Sequence, residues 1–377
     1  MVDILPARTN PHRSGVNQTL GRPGNDPLDL IADLVDANLI LVTEDEDGEP
    51  RIGMLETIRD FAVEMLHRHD ELPAVTLLHA QHYAELSRLL AADIFQPNHR
   101  RAVDRYETEM DNFRRALRAT LLAEGNIAAP AVRTSLLGVN LCASIGLFWL
   151  ISSHATEGEL WLRQALAAAR TGGADIARVK MWLSWMLSEQ DADEMLRLAE
   201  EALAELDMSG DLIDRCRAMG ALAVSHFELG DLPLSHSWGE RLLKLAEKSG
   251  DGYMLTAAKV NHAEVERKLG NLPRAQKLLK EARDLARARG DEYTMAIIGL
   301  SLAEDQLNSD NMQGAEEELA NSLDLVLRSG NRGLSSAFAV LVGRTLEQSG
   351  DPGAALLVLA AVNRNIKERE WVCPEFG

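Results

Sequence analysis

Apolar positions near the start of the chain fall first at helical and then at extended spacing. After a polar opening stretch, Asp26-Pro27 offers an N-cap and a first-turn proline, and Leu28, Ile31, Leu34 and Val35 form one helical face. Beyond Asn38 the segment LILVTEDEDGEPRIGML reads as two short extended runs flanking Asp47-Gly48, a strong short-range hairpin signal. Leu55, Ile58, Phe61, Ala62 and Met65 then return to a helical stripe. Two further helices are expected over roughly 72–95 and 98–123, the second anchored by Tyr106, Met110, Phe113 and Leu117. From Thr134 to Ser153 there is no charged residue, a length that suits a bilayer crossing. Ser135, Asn140, Ser144, Ser152 and Ser153 dilute that segment and helical units flank it, so a buried helix is expected.

From about residue 175 the pattern becomes periodic. Gly210-Asp211, Gly250-Asp251, Gly290-Asp291 and Gly330-Asn331 stand at intervals of 40 residues, and Gly230-Asp231, Gly270-Asn271, Asp310-Asn311 and Gly350-Asp351 fall midway between them. Glycine ends a helix because it enters the left-handed conformation freely, and Asp or Asn caps the next helix. Two breaks per unit predict two helices per unit, roughly four turns each, stacked as an array of helical hairpins. Small residues keep step with the breaks: Ala223, Ala263, Ala303 and Gly343 before the mid-unit turn, Ser235, Ala275, Ala315 and Ala355 after it. Such positions let paired helices approach closely. Asp310, where a glycine is missing, predicts a weak joint at which the array bends.

These patterns divide the chain into a disordered segment (1–25), a helix–hairpin–helix module like the latter half of a winged helix (26–70), a helical linker with the first hairpins (71–170) and the repeats (171–377). The ending NIKEREWVCPEFG carries no capping helix, which suggests a truncated chain. The expected fold class is all-α, an α-solenoid with one β-hairpin.

A formal net charge of −19 disfavours nonspecific phosphate binding by the molecule as a whole. Cys142, Cys216 and Cys373 form no CxxC pair and read as reduced thiols of a cytoplasmic protein. No basic-then-apolar leader opens the chain, so no signal peptide is expected.

The small-residue columns and the turns ELGDLP and KLGNLPRA resemble those of tetratricopeptide repeats, whose standard unit has about 34 residues. The segments LIADLVDANLI, GMLETIRDFAVEML, HAQHYAELS, EMDNFRRAL and FWLISSHATEGELWLRQAL together resemble large bacterial ATP-binding transcriptional regulators with tetratricopeptide tails. These are the antibiotic-regulatory and LuxR-related kinds among the signal-transduction ATPases with numerous domains. The likeness covers about residues 28–370 and implies the sensor-side half of such a regulator. Its motor is missing: no Gly-Lys pair occurs, the first lysine is Lys180, and a Walker A loop requires both. ATP hydrolysis is therefore not carried over, and neither an enzyme nor a cofactor is expected.

His67, His69, His79 and His82 cluster in sequence, yet no Cys or acidic partner stands at metal-ligand spacing, and they read as solvated or capping side chains. The first helix carries Asp26, Asp29, Asp33 and Asp36 and no cation, and the hairpin sets Glu44, Asp45, Glu46, Asp47 and Glu49 against Arg51 alone. Such surfaces repel DNA, so direct nucleic-acid binding is not expected. Glu264 and Glu304 recur at the repeat period and, in the standard register, face the concave groove with Glu228 and Arg267. These four residues are the candidates for gripping a partner; a solvated helix face is the plainer alternative. The expected partner is a protein or peptide, or a small inducer, with an ATPase or DNA-binding regulator receiving the signal and no membrane involved. A stand-alone assembly scaffold without a regulatory role is the competing function.

Overall fold

The computed structural model describes residues 26–44, 48, 50–94, 99–122, 132–152, 154–169, 173–188, 190–209, 211–329, 331–358 and 360. The expectations for residues 1–25 and for the segment after 360, Cys373 included, lie outside these, as do Gly210, Gly330 and hairpin residues 45–47 and 49.

The amino-terminal module follows the order read from the sequence. Helix α1 (Pro27–Asp36) leads into β1 (Ile40–Glu44), which pairs antiparallel with β2 (Pro50–Met54), and α2 (Glu56–Arg68) follows. Asp26 caps α1 by accepting from the Leu28 N–H. The strands are joined through Gly48 at φ +75°, where a left-handed residue is required. Ile40 is the module's one buried apolar side chain among the described residues, and Leu28, Leu41, Leu55 and Phe61 are all more than half exposed. Arg51 ties the hairpin to the body. From β2 it reaches Glu109 at 3.2 Å, a side chain only 1% exposed.

The helical body runs through α3 (Leu72–Asp93), α4 (His99–Leu121), α5 (Val132–Ile151), α6 (Ala155–Ala168), α7 (Ala174–Met186) and α8 (Ala192–Ser209). The 40-residue units continue it as α9 (Leu212–Glu228), α10 (Leu232–Ser249), α11 (Gly252–Lys268), α12 (Leu272–Arg289), α13 (Glu292–Asn308), α14 (Met312–Ser329) and α15 (Arg332–Gln348). Residues 352–358 begin a further helix. The first helix of each unit has 17 residues and the second 18, nearly five turns and slightly longer than expected.

The punctuation works as the sequence implies. Asp211, Asp231, Asp251, Asp291 and Asn331 each accept a backbone N–H of the helix they start, and Gly250 and Gly290 close helices in the left-handed conformation. Both small-residue columns are buried, and Ser235 uses its hydroxyl to donate to the Ala223 carbonyl at 2.7 Å. The weak joint expected at Asp310 does not appear. Asp310 adopts φ +54°, and the Asn311 N–H bonds the Gln306 carbonyl just as Asn271 bonds Glu266 and Asp351 bonds Leu346. An aspartate has taken the glycine's conformation, and the turn is unchanged.

The uncharged helix is α5. It is long and apolar enough to cross a membrane, but it sits inside the array, with Leu141, Cys142, Ile145, Phe148 and Trp149 fully buried. Tyr106 stacks on Phe148 at 4.7 Å, and Tyr83 meets Phe113 edge-on at 5.4 Å. The apolar core is continuous from Ala80 to Ala258, then divides into two smaller clusters around α12 and α14.

Candidate interaction groove

Curvature decides which helices face inward. The first helices of successive hairpins touch one another, α5 with α7, α7 with α9, α9 with α11 and α13 with α15, whereas the second helices pack mainly on their own partners and the next unit. Closer spacing of the first helices puts them on the concave side. The curl is tight enough that Asn331, at the start of α15, donates to the Ile151 carbonyl at the end of α5, 3.2 Å away and 180 positions distant.

Among the described residues, two hollows stand out along these inner helices. The first, about 130 Å³, is formed by α5, α7, α9 and α11 with Leu242 of α10, and the side chains of Trp182, Trp185, Tyr253 and Arg217 stand in its walls. Arg217 lies over the Trp182 ring at 5.3 Å, and the Trp185 indole N–H donates to the Arg217 carbonyl at 3.2 Å. Gly220 makes room, since a Cβ there would stand 3.0 Å from the Trp185 ring. Cys216 also lines this hollow; burial pushes its thiol up to about 11, so it is protonated packing, and with Cys142 it is a free, buried cysteine. The second hollow, about 380 Å³, opens between α13 and α15, with apolar walls at Ile297, Leu300, Leu334 and Val340 and the Glu304–Arg344 ion pair (3.2 Å) within it.

The four candidates from the sequence all lie on first helices, though on separate stretches of the face. Glu228, at the end of α9, accepts from the Ser188 hydroxyl at 2.6 Å. Glu264 pairs with Arg267 one turn on, and Arg267 also pairs with Asp305 of α13 and approaches the Ser301 carbonyl at 3.4 Å. Arg267 is 10% exposed and Asp305 fully buried, so this guanidinium bridges two units, whereas Glu264 and Glu304 keep 39% and 41% of their side chains exposed. Similar ties recur along the inner face: Arg178 of α7 pairs with Asp211, the cap of α9, and with Asp214 within it. Although burial raises the Asp211 carboxyl, the Asp214 N–H and Arg178 together hold it below its usual range.

Of the clustered histidines, His67, His69 and His82 are exposed as expected. His79 is not merely solvated. It packs on Tyr83 at 4.6 Å, and burial first, then Arg115, lowers its pKa to about 4. Arg51, the hairpin's lone cation, is turned onto Glu109. A group the sequence reading missed is His236, Glu240, His262 and Glu266, whose ligand atoms all lie within 4.8 Å of one another. Two His-x-x-x-Glu spacings on adjacent helices are the signal that marks it.

The fold and its inner face define a tetratricopeptide-like α-solenoid. Among solved structures, the chain is similar to a Rap protein complexed with Competence and Sporulation Factor (TM-score 0.57, 14% identity, 79% of this chain and 88% of that one). It is likewise similar to the apo form of RapI (TM-score 0.52, 14% identity, 76% of this chain and 99% of that one). At the level of sequence it matches proteins of Mycobacterium tuberculosis and Mycobacterium bovis that carry the name "Putative HTH-type transcriptional regulator", 30% identical over 213 residues, 52% of this chain. The chain spans about a fifth (22%) of the length of these curated relatives. No protein-family model matches.

Proposed function

We propose that the chain is a non-catalytic sensor module of bacterial transcriptional control that binds a protein, peptide or small effector along its inner face. The observation that carries this reading is the pair of hollows on the first helices, where apolar and aromatic walls stand beside charged groups that fix orientation. Glu264 and Glu304, half exposed at the repeat period, suit the basic or polar groups of such a partner. Support comes from the curated relatives, named as transcriptional regulators, and from a similarly folded Rap protein complexed with a factor. In this reading the amino-terminal helix–hairpin–helix is a winged-helix remnant serving as a spacer toward an ATPase or DNA-binding partner.

Capture from native cells with the wild-type chain and with Val340→Arg tests it. Val340 is 39% exposed on the wall of the larger hollow, so the substitution adds charge there with little change to the core. Recovery of an ATPase or DNA-binding regulator by the wild type, and its loss with V340R, is the expected result. Recovery of metabolic or structural proteins alone favours the assembly scaffold. Measurable ATP turnover by the purified chain would overturn the non-catalytic reading.

A further inference from the structure

The junction between α10 and α11 departs from the rest of the array. At the repeat positions equivalent to His262 stand Leu222 and Leu302, buried to 1% and 2%, and Val342. At the positions equivalent to Gly239 stand Ala199, Leu279 and Leu319, all buried. This junction between two units has thus exchanged an aliphatic packing pair for a histidine and a glycine. The exchange is concerted, because any Cβ at Gly239 would collide with the His262 ring. Glycine inside a helix costs roughly 0.5–1 kcal/mol relative to alanine, and a buried carboxylate costs more unless it is paired. The apolar core that is continuous from Ala80 to Ala258 breaks at this place. Packing alone does not account for such a loss.

We infer that His236, Glu240, His262 and Glu266 form a binding site for a divalent transition-metal ion, which clasps α10 to α11 between consecutive repeat units. Each helix contributes a His and a Glu one turn apart, which places both on the same face. His262 Nε2 lies 3.0 Å from Glu240 Oε1 and 3.3 Å from Glu266 Oε1, and His236 Nε2 lies 3.2 Å from Glu266 Oε1. A tetrahedral ion with bonds of about 2.0–2.1 Å has ligand atoms about 3.3 Å apart. Three of the six ligand-atom pairs already stand near that spacing, and with all four atoms within 4.8 Å of one another the shell closes on an ion by contracting the remaining pairs.

Two further observations point the same way. Glu266 is 2% exposed, and its Oε1, directed at the two imidazoles, makes no hydrogen bond of good geometry among the described residues. Its other oxygen accepts from the Asn271 side chain at 2.9 Å, a bond that orients a ligating carboxylate. Imidazole with carboxylate suits zinc, iron or manganese better than calcium. Arg274 now pairs with Glu240 and lies 3.1 Å from Glu266; its side chain is 41% exposed and can swing outward, leaving two carboxylates to neutralise a dication. The 33% exposure of His236 supplies a path for entry.

Calorimetric titration of Zn2+ into the tag-free, chelator-treated full chain, with thermal melting in parallel, tests the site. The wild type is expected to take up one equivalent and melt at a higher temperature with Zn2+. His262→Leu restores the residue that Leu222 and Leu302 represent, so it keeps the fold, and Glu266→Gln preserves shape. Both are expected to lose the stoichiometric uptake and the Zn2+-dependent rise in melting temperature. The absence of stoichiometric uptake by the wild type, or undiminished uptake by either variant, would overturn the inference.

Discussion

Replacing Arg267 with alanine separates a structural tie from a partner contact, because this residue lies on the candidate face and also bridges α11 to α13. Its guanidinium faces Asp305, a carboxylate fully withdrawn from solvent, and Asp305 Oδ2 has no hydrogen bond among the described residues. Removing the cation leaves a buried charge uncompensated, at a cost of about 3–5 kcal/mol. Replacing the pair together, as Arg267→Met with Asp305→Leu, removes both charges and is expected to stay within about 1 kcal/mol of the wild type. Because stacked repeats contact chiefly their neighbours, the loss should concentrate locally. Urea denaturation gives the global figure, and amide hydrogen exchange of α13 and α14 locates it. A loss below about 1 kcal/mol for R267A, or a double variant no more stable than the single one, would refute the tie.

Two other outcomes follow from single residues. Burial raises the Glu109 carboxyl, but the Asn112 amide, Arg51 and Arg105 lower it further, so its net position lies below the ordinary glutamate value. A carboxyl lowered on folding contributes stability that is complete above the unfolded pKa and is lost as pH falls through the folded one. Limited proteolysis of the 40–54 hairpin should therefore accelerate on acidification below the usual glutamate range, and Arg51→Ala should give the same acceleration at neutral pH. Asp310→Gly relieves a left-handed aspartate in a turn otherwise like its neighbours, and should raise stability by about 1 kcal/mol in denaturant melts.

The repeat was legible because its signals are local. Gly250, Asp251 and Asn331 act on the backbone within a few residues, so their roles follow from spacing alone. The hairpin at Gly48 was legible for the same reason. Asp310 misled because its type implied a break, whereas the flanking helices and the Asn311–Gln306 bond impose the turn. Contacts across units were hidden: Arg267 with Asp305, and Asn331 with Ile151, depend on how far the array curls. The His–Glu cluster was half legible. Comparing the columns for breaks, His262 against Leu222 and Leu302, exposes it, while a search for clustered histidines leads instead to α3, where His79 is packed on Tyr83 and His82 is exposed.

Site-specific photo-crosslinking tests the inner-face account most directly. A photoreactive amino acid at Val340 lies on the wall of the larger hollow, and one at Leu327, 66% exposed on α14, lies on a second helix away from it. The partner should crosslink to the probe at 340 and not to the probe at 327. Crosslinking from 327 alone, or equally from both positions, would contradict it.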